Sequence, residues 1–521
     1  MPLPTRLRKT SAALAAAPVL LAAAPSGSGT NPDGLPLGAG NLPETRHSRE
    51  LAAGVTYTTI VRGTPSTDSF WTLTLGFFAD RRTAEQLVAR LEAAGHPARI
   101  RRIDERAPDD PSQAGPLGFV VRSGRFDTQA EALAKAAKLL EAGFPSSVQN
   151  TAEDGGRTTG PWVVRVLRID PRRFLGTVRP VLATGIVPGR ATVSAVDASV
   201  GSFAAVNGGY VVIDPADGTP GDLAGISVVH GELVSEAVRD RTDLVLPAPG
   251  GVGARITEVA TRLSARSSDG ALREVDGLNR DPGLIRACGG VGGDRPTWQP
   301  LHDVTCTDPS ELIVVRREFG RSAPAGDGIE AELDAAGTVH QLRFRRGGPV
   351  PTAGTLLQGT GEGARWLRQH ARPGMRVVVR QQLRTPEGPL ALTPGLGIVN
   401  GGPQLLAAGR PDIEAFEEGF VHPDDPGFYW AFGVRRNPRT LAGVTRDGEL
   451  LLVTCDGRAP GFSVGLSFVE EARVMRSLGA RDAVNLDGGG STTMVVGDRL
   501  VTRPSDTTGE RPVGDVIVLR R

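Results

Sequence analysis

AVNLDGGGSTTMVV, residues 483–496, decides how the rest of the chain is read. A β-type apolar run (Ala483, Val484, Leu486) arrives at Asp487, three glycines and Ser491, Thr492 and Thr493 follow, and a second apolar run spans Met494 to Val496. Glycine tolerates positive φ and lets a ligand approach the backbone with no Cβ in the way. Gly488 to Gly490 therefore predict a sharp bend between two strands, with backbone N–H groups and hydroxyls exposed at its tip. A concave array of donors suits an anionic oxygen, above all a phosphate. Asp487, at the mouth of the bend, is the nearby acid, base or orienting carboxylate. The same residues also fit a glycine-rich hairpin with an Asp turn residue.

A length of 521 residues predicts two or three domains. The 39% hydrophobic content suffices for a core, and 68 Gly and 40 Pro point to many turns and linkers. A net charge of +1, with no long charge run in either half, gives no support to nucleic-acid binding. At the N-terminus Arg6, Arg8 and Lys9 precede the apolar stretch Ala12 to Ala24. That pattern matches a secretory signal over residues 1–24, too short for a comfortable membrane span. The expected product is exported, secreted or wall-associated, with no stable span after cleavage. Export makes a disulfide between Cys288 and Cys306 the expected staple of a Gly/Pro-rich loop. A zinc site is the weaker reading there, since only His302 and Asp303 lie between the cysteines. Cys455 is left over, expected buried on a strand.

Residues 25–65 are rich in Gly, Pro, Ser and Thr and are expected to form a flexible linker. From Phe70 the pattern becomes strand, helix, glycine stop, strand, and then repeats: GFFADRRTAEQLVARLEAAGHPA aligns with GRFDTQAEALAKAAKLLEAGFPS. Each copy is a βαβ unit that cannot cover its own sheet face, so the two should pack into one small α/β domain. This doubled unit resembles the SPOR (sporulation-related repeat) domain over roughly residues 66–150. The resemblance implies binding to peptidoglycan glycan strands on the sheet face, with Trp71, Phe77, Arg122 and Phe126 as the contacting side chains. A packing module of ferredoxin-like shape is the alternative.

A polar joint, residues 152–160, leads into a large domain. Strand-like runs alternate with Gly/Pro loops through residues 240–395, a β-rich elaboration in which no catalytic spacing stands out. Residues 463–478 predict an amphipathic helix that Gly479 ends. Five stretches, AAVNGGY, IVNGGPQLL, NPRT-x-x-GVTRDG, CDGR and NLDGGGSTTM followed by PSD-x-x-GERPV, together resemble the phosphodiester glycosidase family over about residues 190–521. The resemblance implies hydrolysis between a sugar anomeric carbon and a phosphodiester oxygen, in an N-acetylglucosamine-1-phospho type of linkage. The fold expected is α+β, with the small two-repeat domain followed by a large mixed α+β glycosidase domain from residue 160.

The residue types suit that chemistry. Arginine grips a phosphodiester in a planar, bidentate manner, which makes Arg439 and Arg458 candidates. Phosphate is a good leaving group, so one carboxylate that attacks C1 or activates water suffices, in contrast with the usual pair. Asp487 is the candidate nucleophile or base and Asp456 its support, with Asp506 and Glu510 in reserve. Asn207, Gly208, Asn400 and Thr440 are expected against the sugar, with Gly488, Gly489, Ser491, Thr492 and Glu510 completing the substrate contacts. No cofactor and no metal cluster is called for. The rival readings are a non-catalytic binder of anionic wall polymer and a phosphodiesterase that cleaves on the phosphorus side.

Overall fold

The structure is a computed structural model that describes residues 34–521 except 113, 239–240, 247–252, 289–290, 301–303 and 423. The expected signal segment, and the start of the expected linker, lie outside the described residues.

Eight antiparallel strands make the central sheet, in the order Glu44–Ala52, Val55–Arg62, Trp162–Ile169, Leu450–Cys455, Arg439–Thr445, Ala480–Asn485, Gln404–Ala407 and Arg410–Pro411. Side chains alternate between its two faces. Leu441, Leu451, Val453 and Ala483 enter one core with Phe468, Ala472 and Met475 of the helix Phe468–Ser477. Ala442, Leu450, Leu452 and Val484 enter the other. There they meet a four-stranded sheet (Met494–Val496, Ala204–Asn207, Asp515–Arg520, Thr177–Leu182) and strands Thr242–Leu246 and Gly397–Asn400 of a five-stranded one. The helix begins later than its periodicity predicts. Ser467 and Glu470 form a reciprocal capping box, whereas Leu466 is held extended by exchanging backbone hydrogen bonds with Asn437.

The linker expectation for residues 25–65 is corrected from residue 34 onward. Glu44–Ala52 and Val55–Arg62 pair as a hairpin, and the second strand continues the central sheet, with Tyr57 opposite Leu167 and Arg62 opposite Trp162. The alternation in VTYTTIVR puts Val55 and Tyr57 in one core and Ile60 in the other. The small domain is therefore inserted between two neighbouring strands of the large sheet and is anchored at both ends.

That inserted domain keeps the predicted repeat. Its sheet runs Arg99–Ile103, Gly118–Phe126, Trp71–Phe78, Ser147–Asn150. Helices Arg81–Ala93 and Gln129–Glu141 start at the caps Asp80 and Thr128. They cover one sheet face around Leu73, Leu91, Val121 and Leu139. The elaboration between the two halves of the large domain has its own core, built on Leu263, Val275, Val314, Ala331 and Leu357. It also contains the helix Gly361–His370 and the strand Val377–Thr385.

Candidate active site

The strand Ala480–Asn485 belongs to the central sheet, while Met494–Val496 belongs to the four-stranded one. The glycine bend thus crosses from sheet to sheet and does not close a hairpin. Its backbone is pinned from both sides. Leu486 N–H donates to the Thr440 carbonyl (2.8 Å), Gly489 N–H to that of Pro438 (2.8 Å), and Asp487 N–H to that of Gly208 (3.3 Å). Asn207 supplies the central clamp. Its Nδ2 donates to the Asp487 carbonyl (2.7 Å), and its Oδ1 accepts from Thr440 Oγ1 (2.7 Å) and Thr493 N (3.0 Å).

This clamp corrects several sequence expectations. Asn207 and Thr440 are fully buried, and their polar atoms are committed to the bend, so they position it and do not meet sugar hydroxyls. Asn400 is likewise buried, with Oδ1 accepting from Tyr210 N (2.8 Å) and Nδ2 donating to the Tyr210 carbonyl. Gly208 leaves the space that the Asp515 carboxyl occupies, because a Cβ there would collide with it. Glu510 accepts from Ser194 N (2.8 Å) and Ser194 Oγ (2.6 Å) and so caps the helix Val193–Val200. Asp456 is buried and bound to Arg165 Nη1 at 2.6 Å, with Arg503 N as its other donor. Arg439 also has no exposure. It pairs with buried Glu471 at 2.7 Å and lies against the Phe468 and Phe432 rings. Strand alternation sends Thr440 toward the bend and its neighbour Arg439 into the opposite core.

Asp487, Arg458 and the glycines remain together. Arg458 is exposed, takes a positive φ of 54° and donates from Nη2 to Asn437 Oδ1 at 3.0 Å. A Cβ on Gly489 would lie 3.2 Å from that Nη2, and one on Gly490 would collide with the Arg511 guanidinium. Arg511 is itself held by both carboxylate oxygens of Asp506 (2.7 and 3.0 Å). The absent side chains therefore admit two guanidinium groups to the bend. The Thr492 and Thr493 hydroxyls are buried with no hydrogen-bond partner among the described residues, which is costly unless a ligand satisfies them.

Burial pushes the Asp487 carboxyl up to about 6, against the opposing pull of the Ser491 hydroxyl, Arg511, the Gly488 N–H and Arg286. Asp515, which the sequence reading missed, is pushed up to about 7 by burial and by the Asp487 charge, while the Gly209 N–H works against the rise. Its Oδ1 accepts that N–H at 2.9 Å, and its Oδ2 has no partner among the described residues. The one signal for Asp515 is a carboxylate opening the apolar strand DVIVL. Arg286 comes from the short turn Arg286–Cys288, just before the loop that the Cys288–Cys306 disulfide closes, and that disulfide forms as expected with a Cα–Cα distance of 5.0 Å. Cys455 is free and buried. Among the described residues no group of three or more His, Cys, Asp or Glu is arranged to hold a metal ion.

Glu153, Glu418 and Glu471 are also raised to about 7, burial being the largest cause for each. A carboxyl whose folded pKa exceeds its unfolded one favours the fold while protonated, and that contribution is lost as pH rises from the ordinary carboxylate range through about 7. The urea midpoint is expected to fall between pH 5 and pH 8, and a midpoint that rises over that interval would contradict these assignments.

In the inserted domain, Phe77 stacks on Trp430 of the large domain at 5.2 Å. Arg122 is 2% exposed and is held by Asp154. Trp71 and Phe126 are half-buried at the rim of the helix-side core. None of the four side chains expected to touch glycan stands free on an open sheet face: the large domain covers Phe77, Asp154 holds Arg122, and Trp71 and Phe126 turn toward the helices.

Residues 327–520 match the family model of the phosphodiester glycosidases. The C-terminal part of the chain is therefore a phosphodiester glycosidase-like domain. Residues 67–150 match the SPOR domain. A stretch of 68 residues is 41% identical to N-acetylglucosamine-1-phosphodiester alpha-N-acetylglucosaminidase of Mus musculus, and this match spans only 13% of either chain. A crystal structure from Burkholderia pseudomallei K96243, of a protein designated as exported, is 37% identical, with a TM-score of 0.86 over 94% of this chain and 98% of that one. A hypothetical protein from Synechocystis shares the fold at 18% identity and a TM-score of 0.53, over 92% and 76%. The glycosidase match starts after the AAVNGGY stretch. Pairing of Ala204–Asn207 with Met494–Val496 and Asp515–Arg520 brings that stretch into the site.

Proposed function

We propose that the protein is an exported hydrolase that cleaves sugar-1-phosphodiester bonds, of the N-acetylglucosamine-1-phospho type, in cell-envelope or extracellular glycopolymers. In this reading the SPOR domain keeps the enzyme near peptidoglycan, which raises the local concentration of such polymers. One observation carries the proposal: the buried Asp487 carboxyl shares a glycine bend with the Arg458 and Arg511 guanidinium groups.

In the proposed mechanism, Arg458 and Arg511 hold the phosphodiester oxygens, aided by the bend's N–H groups. Ser491 and Thr492 hydroxyls complete the pocket wall. Asp487, ionised above about pH 6, either attacks C1 or takes a proton from an attacking water. The C1–O bond breaks, and the phosphomonoester leaves with the bonding electrons. Water oxygen ends on C1, and its second proton stays on the released sugar hydroxyl. Asp515, protonated below about pH 7, keeps a second negative charge from developing beside Asp487 there.

Hydrolysis of UDP-N-acetylglucosamine by the full chain in ¹⁸O-labelled water tests this. Label is expected in the free sugar, and label found only in phosphate would establish cleavage on the phosphorus side and overturn the proposal. Arg458→Ala is expected to raise KM by roughly ten- to hundredfold, the scale of one lost hydrogen bond to a charged group. An unchanged KM would remove Arg458 from the phosphate site.

A further inference from the structure

One sheet of the elaboration shows an exposed face over its two central strands. Its order is Leu272–Val275, Ala260–Ser267, Val377–Thr385, Gly388–Leu390. Alternation along the strands sends Leu263, Ala265, Val275, Val377 and Leu383 into the elaboration's core. The intervening residues turn outward, and Arg262, Arg266, Arg380 and Arg384 among them are exposed.

These arginines are staggered. Ala260 stands opposite Arg384, Arg262 opposite Gln382, Ser264 opposite Arg380 and Arg266 opposite Val378. No arginine faces another directly, which avoids the strongest like-charge repulsion, yet each is diagonal to the next, about 7–8 Å away. Arg384, Arg262, Arg380 and Arg266 thereby form a zigzag row of positive charge. Glu274 answers Arg262 at 3.1 Å, whereas Arg266, Arg380 and Arg384 make no ion pair among the described residues. In a chain whose net charge is +1, the row is a local excess, and its complement is an anionic surface outside the chain.

Apolar neighbours decide the kind of surface. Arg266 has Leu272 opposite it on one side and Val378 on the other, and these two are 57% and 38% exposed. A guanidinium between exposed aliphatic groups suits the edge of a lipid bilayer, where arginine bonds a headgroup phosphate and the aliphatic groups enter the acyl boundary. A linear polyanion would leave both aliphatic groups in water. These strands contain no aromatic residue on which a nucleobase could stack.

We propose that this face docks on a membrane surface rich in anionic phospholipid, with the arginine row on the headgroup phosphates and Leu272 and Val378 in the interface. The sheet contributes none of the residues that meet at the Asp487 bend, so docking is separate from catalysis there.

The test is co-sedimentation of the full chain with vesicles of phosphatidylcholine alone, or of phosphatidylcholine and phosphatidylglycerol in equal amounts. Partition into the anionic vesicles is expected to be roughly 100-fold stronger, the scale of three arginine charges at an anionic surface, and to fall as salt rises. Arg266→Glu, Arg380→Glu and Arg384→Glu together should abolish that preference; if this variant melts early, the three glutamine substitutions read the same loss. Leu272→Ser with Val378→Ser should weaken partition roughly tenfold, as expected for two aliphatic groups that leave water only in part, without changing retention on soluble dextran sulfate. Equal partition into both vesicles, or an undiminished preference in an arginine variant that melts like the wild type, overturns the inference. So does a serine variant that partitions like the wild type, and arginine-dependent retention on dextran sulfate would then mark the face as a site for a linear polyanion. No readout involves turnover, so failure of the proposed chemistry and failure of this docking are told apart.

Discussion

Asp487→Asn is expected to lower kcat/KM on a sugar-1-phosphodiester by about 10²- to 10⁴-fold, the usual contribution of a positioned base, and by more if the carboxylate forms a bond to C1. The amide has nearly the shape of the carboxyl, and the Asp487 backbone is held by Asn207 and Gly208 through main-chain atoms. The variant should therefore fold normally and still bind substrate. In the wild type, kcat/KM should fall about tenfold per pH unit below about pH 6, where burial places the Asp487 ionisation. A variant as active as the wild type, or a profile flat from pH 4 to 8, would remove Asp487 from the chemistry. Wild type and variant equally inert across a panel of sugar-phosphodiesters would favour the non-catalytic binding role.

The second large effect is on stability. Arg439→Ala should cost about 3–5 kcal/mol, because it leaves a buried acid without its counter-charge. Both partners of the Arg439–Glu471 pair are 0% exposed. Glu471 is already raised to about 7 by burial, against the pull of Arg439. Without the arginine it has to take up a proton, so the loss should deepen as pH rises from 5 to 8. Replacing both residues by leucine should recover much of the stability, since a packed apolar pair often equals a buried ion pair. Urea unfolding of the three proteins measures this. Had Arg439 gripped phosphate, the alanine variant would be fully stable with a raised KM, and that outcome would restore the sequence expectation.

Local rules carried the small domain well. Two copies of strand, cap, helix and glycine stop each specify their own conformation through neighbours in sequence. Ser467 and Glu470 could equally have placed the helix start, since a capping box spans four residues. The inserted position of the SPOR domain was illegible because Val55–Arg62 pairs with a strand a hundred residues later. Only long-range hydrogen bonds record that.

The bend at residues 483–496 marks where sequence stops. Its glycines and hydroxyls by themselves determined a turn open to an anion, with Asp487 at its mouth, because backbone freedom and donor chemistry are properties of the residues. Tertiary structure decided which polar neighbours serve it. Arg439 and Thr440 adjoin in sequence, yet they enter opposite cores of the sheet. Asp515 and Arg286 come from distant segments, and Asn207 and Asn400 are spent on holding backbone. A side chain's task depends on which face of which sheet it meets, and that is set by how the sheets pack.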